Sequence, residues 1–505
     1  MRPLEALPDA TRKHLATLAL RAYDLASPFA CGGEMAPVGD AALCFAKGSR
    51  VALGADDWRL GETLARRCEP APFGQGGETK RNRKVRDALQ LDARGGAFTV
   101  EGLDPAAGGV LDAVRKALCP HDPNPLSAEL YGLNIYRRGG HFVVHKDTPR
   151  GDDMLGTLVM DISHDFGGGD LVLTHRGATE VFRWSIGRLG RRGPRTFSWA
   201  AFFGDVDHEV REVWSGERIT LTWILRRGEG AVLPVRRAST HADRLADSLT
   251  VALVDPSFFP TGTTLGFSCF HMYAEAPGFI RSAPEINPRT ALKLKGRDQQ
   301  IAAAVLRLGL PVRFVPYLLE DQVDSRWALA RYPTHTERAM FRGHRLSAFD
   351  IERRLPVEAG PDRDAVRWVV TPARGDRGRA AARVAGQPAV EFLGEPEYSE
   401  TGYFGNEGGP GEFYVHAALL VDVPALGVRK RALGGERKPA KPPARKAPAP
   451  DGPPAGKVLE APPSRELTAA EVRALGYSAA QMKRMVADGT LERTGFGWYR
   501  FTRAL

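Results

Sequence analysis

His145 and Asp147 stand two residues apart in the stretch LNIYRRGGHFVVHKD, and His208 stands far downstream in DHEVREVWSGERITLTW. On a β-strand a spacing of two points both side chains to the same face. Two imidazoles and one carboxylate on one side of a metal, with other coordination positions open, form the ligand set that a non-haem Fe(II) oxygenase requires. An isolated His-x-Asp is common. Here it has companions in order: Tyr136 on the run before it, Gly168-Gly169 where a tight turn would lead back into a sheet, then His208, Arg218 and Thr220.

The elements that must carry these residues are short and β-rich. From Leu133 onward, LNIYR, HFVVH, GTLVMDIS, GDLVLTH, TEVFRW, TFSWAAFF, HEVREVW and RITLTWIL read as strands separated by Gly, Asp and Pro. Eight such runs with almost no helix between them predict a double-sheet jelly roll rather than a parallel α/β sheet. Lys146 should point away from His145 and Asp147. His141, His164 and His175 are expected outside the metal shell, and Trp199 and Trp223 are expected as core aromatics.

Around this core the chain reads as α+β. Residues 1–127 form an N-terminal helical and mixed region packing on the core, with helices over 10–25 and 108–119 and a basic helix within 80–91. Residues 128–228 are the double-stranded β-helix. Residues 229–425 form a second α+β domain in which His271, Tyr273, Asn406 and Glu407 read as structural. Residues 426–464, rich in Pro, Ala, Lys and Arg, form an extended basic linker. In residues 465–505, Thr468-Ala-Ala-Glu471 and Ser478-Ala-Ala-Gln481 match capping boxes. Two helices separated at Gly476, then a hairpin, make a small winged helix-turn-helix with a core of Val472, Leu475, Met482, Met485, Val486, Leu491 and Tyr499. Lys483, Arg484, Arg493 and Arg500 would project from it.

A net charge of +10 and a pI near 9.4 favour acidic partners. The clusters Lys80, Arg81, Arg83, Lys84, Arg86 and Arg188, Arg191, Arg192, Arg195 read first as solvated faces. Cys31, Cys44, Cys68, Cys119 and Cys269 form no CxxC pair, which excludes a zinc ribbon and fits a reducing cytoplasm. No run approaches the roughly 18 apolar residues of a membrane span.

Taken together, residues 128–226 resemble the Fe(II)/2-oxoglutarate-dependent dioxygenases of the prolyl-4-hydroxylase-like branch. The resemblance implies that His145, Asp147 and His208 hold Fe(II), with 2-oxoglutarate and O2 as co-substrates. It implies that Arg218 pairs with the distal carboxylate of 2-oxoglutarate, with Tyr136 and Thr220 beside it. Many prolyl hydroxylases use Lys there; an Arg can grip the carboxylate with two parallel bonds. Residues 466–502 resemble the N-terminal winged helix of AbiEi-type antitoxins, which implies contact with DNA, RNA or protein. The expected function is hydroxylation of a macromolecule, a protein side chain first and a nucleic acid second. The alternative is a nucleic-acid-binding regulator that uses the same pocket as a sensor.

Overall fold

The computed structural model describes residues 7–25, 27–46, 48–53, 59–75, 78–151, 153–185, 195–231, 240–274, 285–319, 327–329, 366–368, 403–405, 414–432, 466–468, 472, 479–488, 490–495 and 498–502. They fall into two units, Met1–Glu436 and Arg437–Leu505.

Two antiparallel sheets make the first core. The larger runs in the order Ala30–Met35, Phe197–Phe203, Met154–Asp161, Arg218–Arg227, Leu126–Tyr136, Leu89–Asp92 and Glu69–Pro70. The smaller runs Ala178–Phe182, Leu171–His175, Asp207–Val210, His141–His145 and Arg86–Asp87. Phe202, Phe203, Leu158, Leu221 and Ile135 from the larger sheet and Phe142 and Leu173 from the smaller share one buried cluster. The expected runs all form strands; HEVREVW breaks at Arg211 and Glu212 into Asp207–Val210 and Val213–Gly216. Trp199 and Trp223 are buried in the core.

Both sheets are wider than the eight runs suggest, because four of their strands come from residues 30–92. The expected basic helix over 80–91 is one place where this shows. Instead, turns lead into strands Arg86–Asp87 and Leu89–Asp92. Tertiary partners override helix propensity there: Arg86 is 3% exposed, donates to Asn134 Oδ1 and to the carbonyl of Pro72 (2.7 Å each), and lies over the Phe142 ring. Its neighbours on the basic run are surface ion pairs, Arg81 with Glu69, Arg83 with Asp87 and Lys80 with Glu78. Arg195 donates to the carbonyls of Leu53, Ile162 and Ser163, while Arg188, Arg191 and Arg192 lie outside the described residues.

The helix Val110–Leu118 covers the larger sheet at strands Ala30–Met35 and Leu126–Tyr136. The helix Asp9–Tyr23 does not. Its apolar residues Leu15, Leu18, Ala19 and Ala22 join a second core with Leu245, Leu249, Leu253, Ile301 and Val305, from helices Thr240–Val254 and Gly296–Arg307. Those helices pack on a sheet ordered Trp327–Leu329, Val312–Leu319, Tyr414–Val423, Thr263–Ser268, Val366–Trp368, with Tyr273–Ala274 also paired to Tyr414–Val423. Asn406 and Glu407 lie outside the described residues.

The linker expected from residue 426 starts as a helix, Leu426–Ala432. Arg429 docks it by donating to the carbonyls of Phe258 and Phe259. In the second unit, strands Glu466–Thr468, Trp498–Phe501 and Leu491–Gly495 form a small sheet beside helix Ala479–Ala487. Thr468 ends a strand; an N-cap residue is itself extended, so the two placements are compatible. Glu471, Leu475, Gly476 and Ser478 lie outside the described residues. The core holds Val472, Met482 and Leu491 as expected, with Leu467 and Phe501 added and Met485 and Tyr499 packed at its edge. Val486 is exposed, because the hairpin reaches only the Met482 and Met485 side of this short helix. All five cysteines are free thiols, and no helix among the described residues is long and apolar enough to cross a membrane.

The packing of the first helix can be checked by stability. Leu15→Ala should cost about 2–5 kcal/mol, read as a lower midpoint in denaturant unfolding. Val251→Ala, on the exposed face of the partner helix, should stay within about 0.5 kcal/mol. Equal effects would show that the helix is not part of that core.

Candidate metal centre

The smaller sheet brings the three expected ligands together. Strands His141–His145 and Asp207–Val210 pair antiparallel with His145 directly opposite His208. Asp147 follows just past the end of the first strand, with its Oδ1 3.6 Å from His208 Nε2. One donor atom from each of the three lies within 4.8 Å of the others, so the cluster can hold a metal ion.

Local hydrogen bonds set the donor atoms. His145 Nδ1 lies 2.8 Å from the carbonyl of Val143 and His208 Nδ1 lies 3.0 Å from that of Val206. A carbonyl can only accept, so each Nδ1 carries the proton and each Nε2 keeps its lone pair for a metal. Thr157 Oγ1 donates to Asp147 Oδ2 at 2.5 Å and orients the carboxylate. Phe142 stacks on the His145 ring, with centroids 3.5 Å apart, and Phe202 packs on His208. Burial, helped by neighbouring His208, holds the His145 imidazole well below its ordinary value, so it is neutral and ready to ligate.

The expected co-substrate residues form a second group. Arg218 opens strand Arg218–Arg227 opposite Tyr136, and Thr220 lies two residues on, opposite Asn134. Arg218 is 1% exposed, and among the described residues its Nε and Nη2 have no hydrogen-bond partner. Its guanidinium lies between the rings of Tyr136 and Trp184, 5.4 and 5.2 Å from their centroids. Burial lowers its pKa, opposed by Tyr136, Asp161 and Asp170. Gly169, at φ +64°, leaves room for it: a Cβ there would stand 2.8 Å from Arg218 Cδ.

The other local residues fall outside the ligand set. His141 is held by the carbonyls of Gly139 and Lys84. His164 is exposed. Lys146 turns away from the ligands, donates to the carbonyl of Asp205 and pairs with Asp207 at 2.7 Å. His175 belongs to a separate cluster with Asp205 and His271. Thr157 and Trp184 were not legible as site residues. Each acts through a contact made across the barrel, which leaves no local sequence spacing.

No family model and no curated protein matches the chain. Similar solved structures include a 2OG-Fe(II) oxygenase-family oxidoreductase from Burkholderia pseudomallei (20% identity, 34% of this chain and 78% of that one, TM-score 0.21). A prolyl-4-hydroxylase from Pseudomonas putida aligns at 19% identity over 42% of this chain and 99% of its own, TM-score 0.23. A Trichoplax adhaerens prolyl hydroxylase, in complex with a hypoxia-inducible-factor oxygen-degradation-domain peptide fragment, aligns at 14% over 43% and 91%, TM-score 0.25. The first of these is described as a 2OG-Fe(II) oxygenase and the other two as prolyl hydroxylases.

Two outcomes follow from this geometry. Thr157→Val should weaken metal affinity about 10–100-fold in a chelator competition, because it frees the carboxylate of Asp147. The metal-free protein should lose stability as pH falls through about 6.5, where the unfolded chain takes up protons that buried His145 and His175 refuse. A denaturation midpoint unchanged between pH 7.5 and 5.5 would contradict that.

Proposed function

We propose that the chain is an Fe(II)- and 2-oxoglutarate-dependent dioxygenase that hydroxylates a macromolecular substrate. One observation carries the reading: a two-histidine, one-carboxylate cluster shares a jelly-roll core with a buried guanidinium whose Nε and Nη2 have no hydrogen-bond partner among the described residues. Both halves of the site fit the groups they would receive. Two neutral imidazoles and a carboxylate are the donor set for Fe(II) with open positions. A buried cation is costly unless an anion joins it, and the distal carboxylate of 2-oxoglutarate supplies one.

In this reading His145, Asp147 and His208 hold Fe(II), which when bound supplies the redox chemistry that couples decarboxylation of the keto acid to oxidation of a substrate C–H bond by O2. Arg218 takes the distal carboxylate with two donors, Tyr136 adds a third from its hydroxyl, and Thr220 offers its own. Trp184 and Phe202 exclude water. Thr157 keeps the carboxylate of Asp147 turned to the metal. The additional domains and the basic linker suit a large partner, and the resemblance to the prolyl-4-hydroxylase-like branch puts a protein side chain before a nucleic acid. The tail is read as a winged helix whose exposed Arg484 and whose hairpin meet nucleic acid or a partner protein.

The test is an anaerobic titration with Fe(II), then 2-oxoglutarate, following the visible charge-transfer band of a chelated keto acid. Wild type should develop the band and His208→Ala should not. Arg218→Met should need at least about tenfold more co-substrate. It should also melt no lower than wild type without co-substrate, since it removes a buried unpaired charge. Absence of the band with metal bound would sink the assignment. A band with no succinate formed in the presence of O2 would favour the sensor.

A further inference from the structure

The loop between strands Phe197–Phe203 and Asp207–Val210 carries Asp205, three residues before His208. Its side chain is fully buried, and its hydrogen-bond and ion-pair partners Lys295, His271 and Met272 belong to the second domain. Lys295 Nζ lies 2.7 Å from Oδ1, while the Met272 amide and His271 Nδ1 lie 2.9 and 3.1 Å from Oδ2. The socket is itself braced. Lys295 Nζ also donates to the Met272 carbonyl at 3.0 Å and lies over the rings of Tyr273 and Tyr414. Asp298 accepts the amides of Phe270 and His271 and the hydroxyl of Tyr273. On the other side of the loop, Lys146 ties the Asp205 carbonyl to Asp207, and the Val206 carbonyl orients His208 Nδ1.

We propose that Lys295 and Asp205 are positioning residues for the metal centre, through which the second domain holds the loop that aims His208. The inference rests on the reading of His145, Asp147 and His208 as a metal site. The chain of contacts is short: Lys295 fixes Asp205, Asp205 fixes the loop, and the Val206 carbonyl of that loop fixes the imidazole. Burial alone would push the Asp205 carboxyl up; Lys295 and His271 outweigh it and hold it well below the carboxylate range. The loop is therefore held by the 2.7 Å contact between Lys295 and Asp205.

His175, Asp205 and His271 are also close enough to hold an ion themselves. The contacts argue against it. An ammonium already occupies Oδ1, Oδ2 already takes two partners, and the rings of His175 and His271 stack at 17° rather than converge. The rings of His145 and His208 cross at 53°.

The experiment is Co(II) binding to the full chain, by chelator competition and by the ligand-field spectrum, beside a thermal melt. Wild type should bind and His208→Ala should not. Lys295→Met should bind about 10–100-fold more weakly with an altered spectrum, as loss of an outer partner does, and Lys295→Arg should recover most of the affinity. His175→Gln should match wild type. If Lys295→Met alone does not fold, Asp205→Asn/Lys295→Met removes both charges without stranding either, and the same weakening is expected of it. Wild-type affinity and spectrum in a folded Lys295 variant would overturn the inference alone. So would a second bound Co(II) that disappears in His175→Gln. No Co(II) uptake by wild type would overturn the metal-site reading beneath it.

Discussion

The pairing of His145 with His208 across two antiparallel strands is the contact from which the site is built. Side chains alternate faces along a strand, so a slip of one residue would turn each imidazole out of the barrel. Two features hold the register. Phe142 pairs with Val210 on the same ladder, and the ladder bulges between Phe142 and His145, a device that re-aims a side chain at the end of a strand. On its far side the His208 strand is pinned by Leu171–His175, with Leu173 opposite His208. Phe142 then closes the stack against His145, with Arg86 above it.

Two buried charges show opposite solutions to the same electrostatic problem. Asp205 is matched by a cation and by oriented donors, which offset part of the cost of burying its charge. Arg218 has aromatic rings beside it but, among the described residues, no hydrogen-bond partner for its Nε and Nη2. A charge left in that state opposes folding by several kcal/mol and is retained where function needs it. In the reading proposed above, the first arrangement is support and the second is binding. The difference is visible in hydrogen-bond partners alone.

The double sheet and the His145–Asp147–His208 cluster were legible because both rest on local signals: a period-two alternation, a two-residue spacing and a glycine pair. What could not be read was long-range. Arg86 looked like one more cation of a basic helix, yet Asn134 and a backbone carbonyl draw it inside and straighten its segment into a strand. His271 read as a structural histidine beside an apolar run. Its partner Asp205 lies far back in the chain, and no spacing within either segment joins them. Nothing in the helix Asp9–Tyr23 says which of two cores its apolar face will enter.

That helix has a consequence for how the protein is made. Its partners in the second core, Leu245 and Leu249, lie more than two hundred residues away, with the whole double sheet between them. During synthesis the first helix leaves the ribosome long before anything exists to cover its apolar stripe. Contacts this distant in sequence form late and slowly. The double sheet can close while the helix waits, so the jelly roll should be complete before the second domain is. A segment cut to begin at residue 229 would inherit a core with one wall missing.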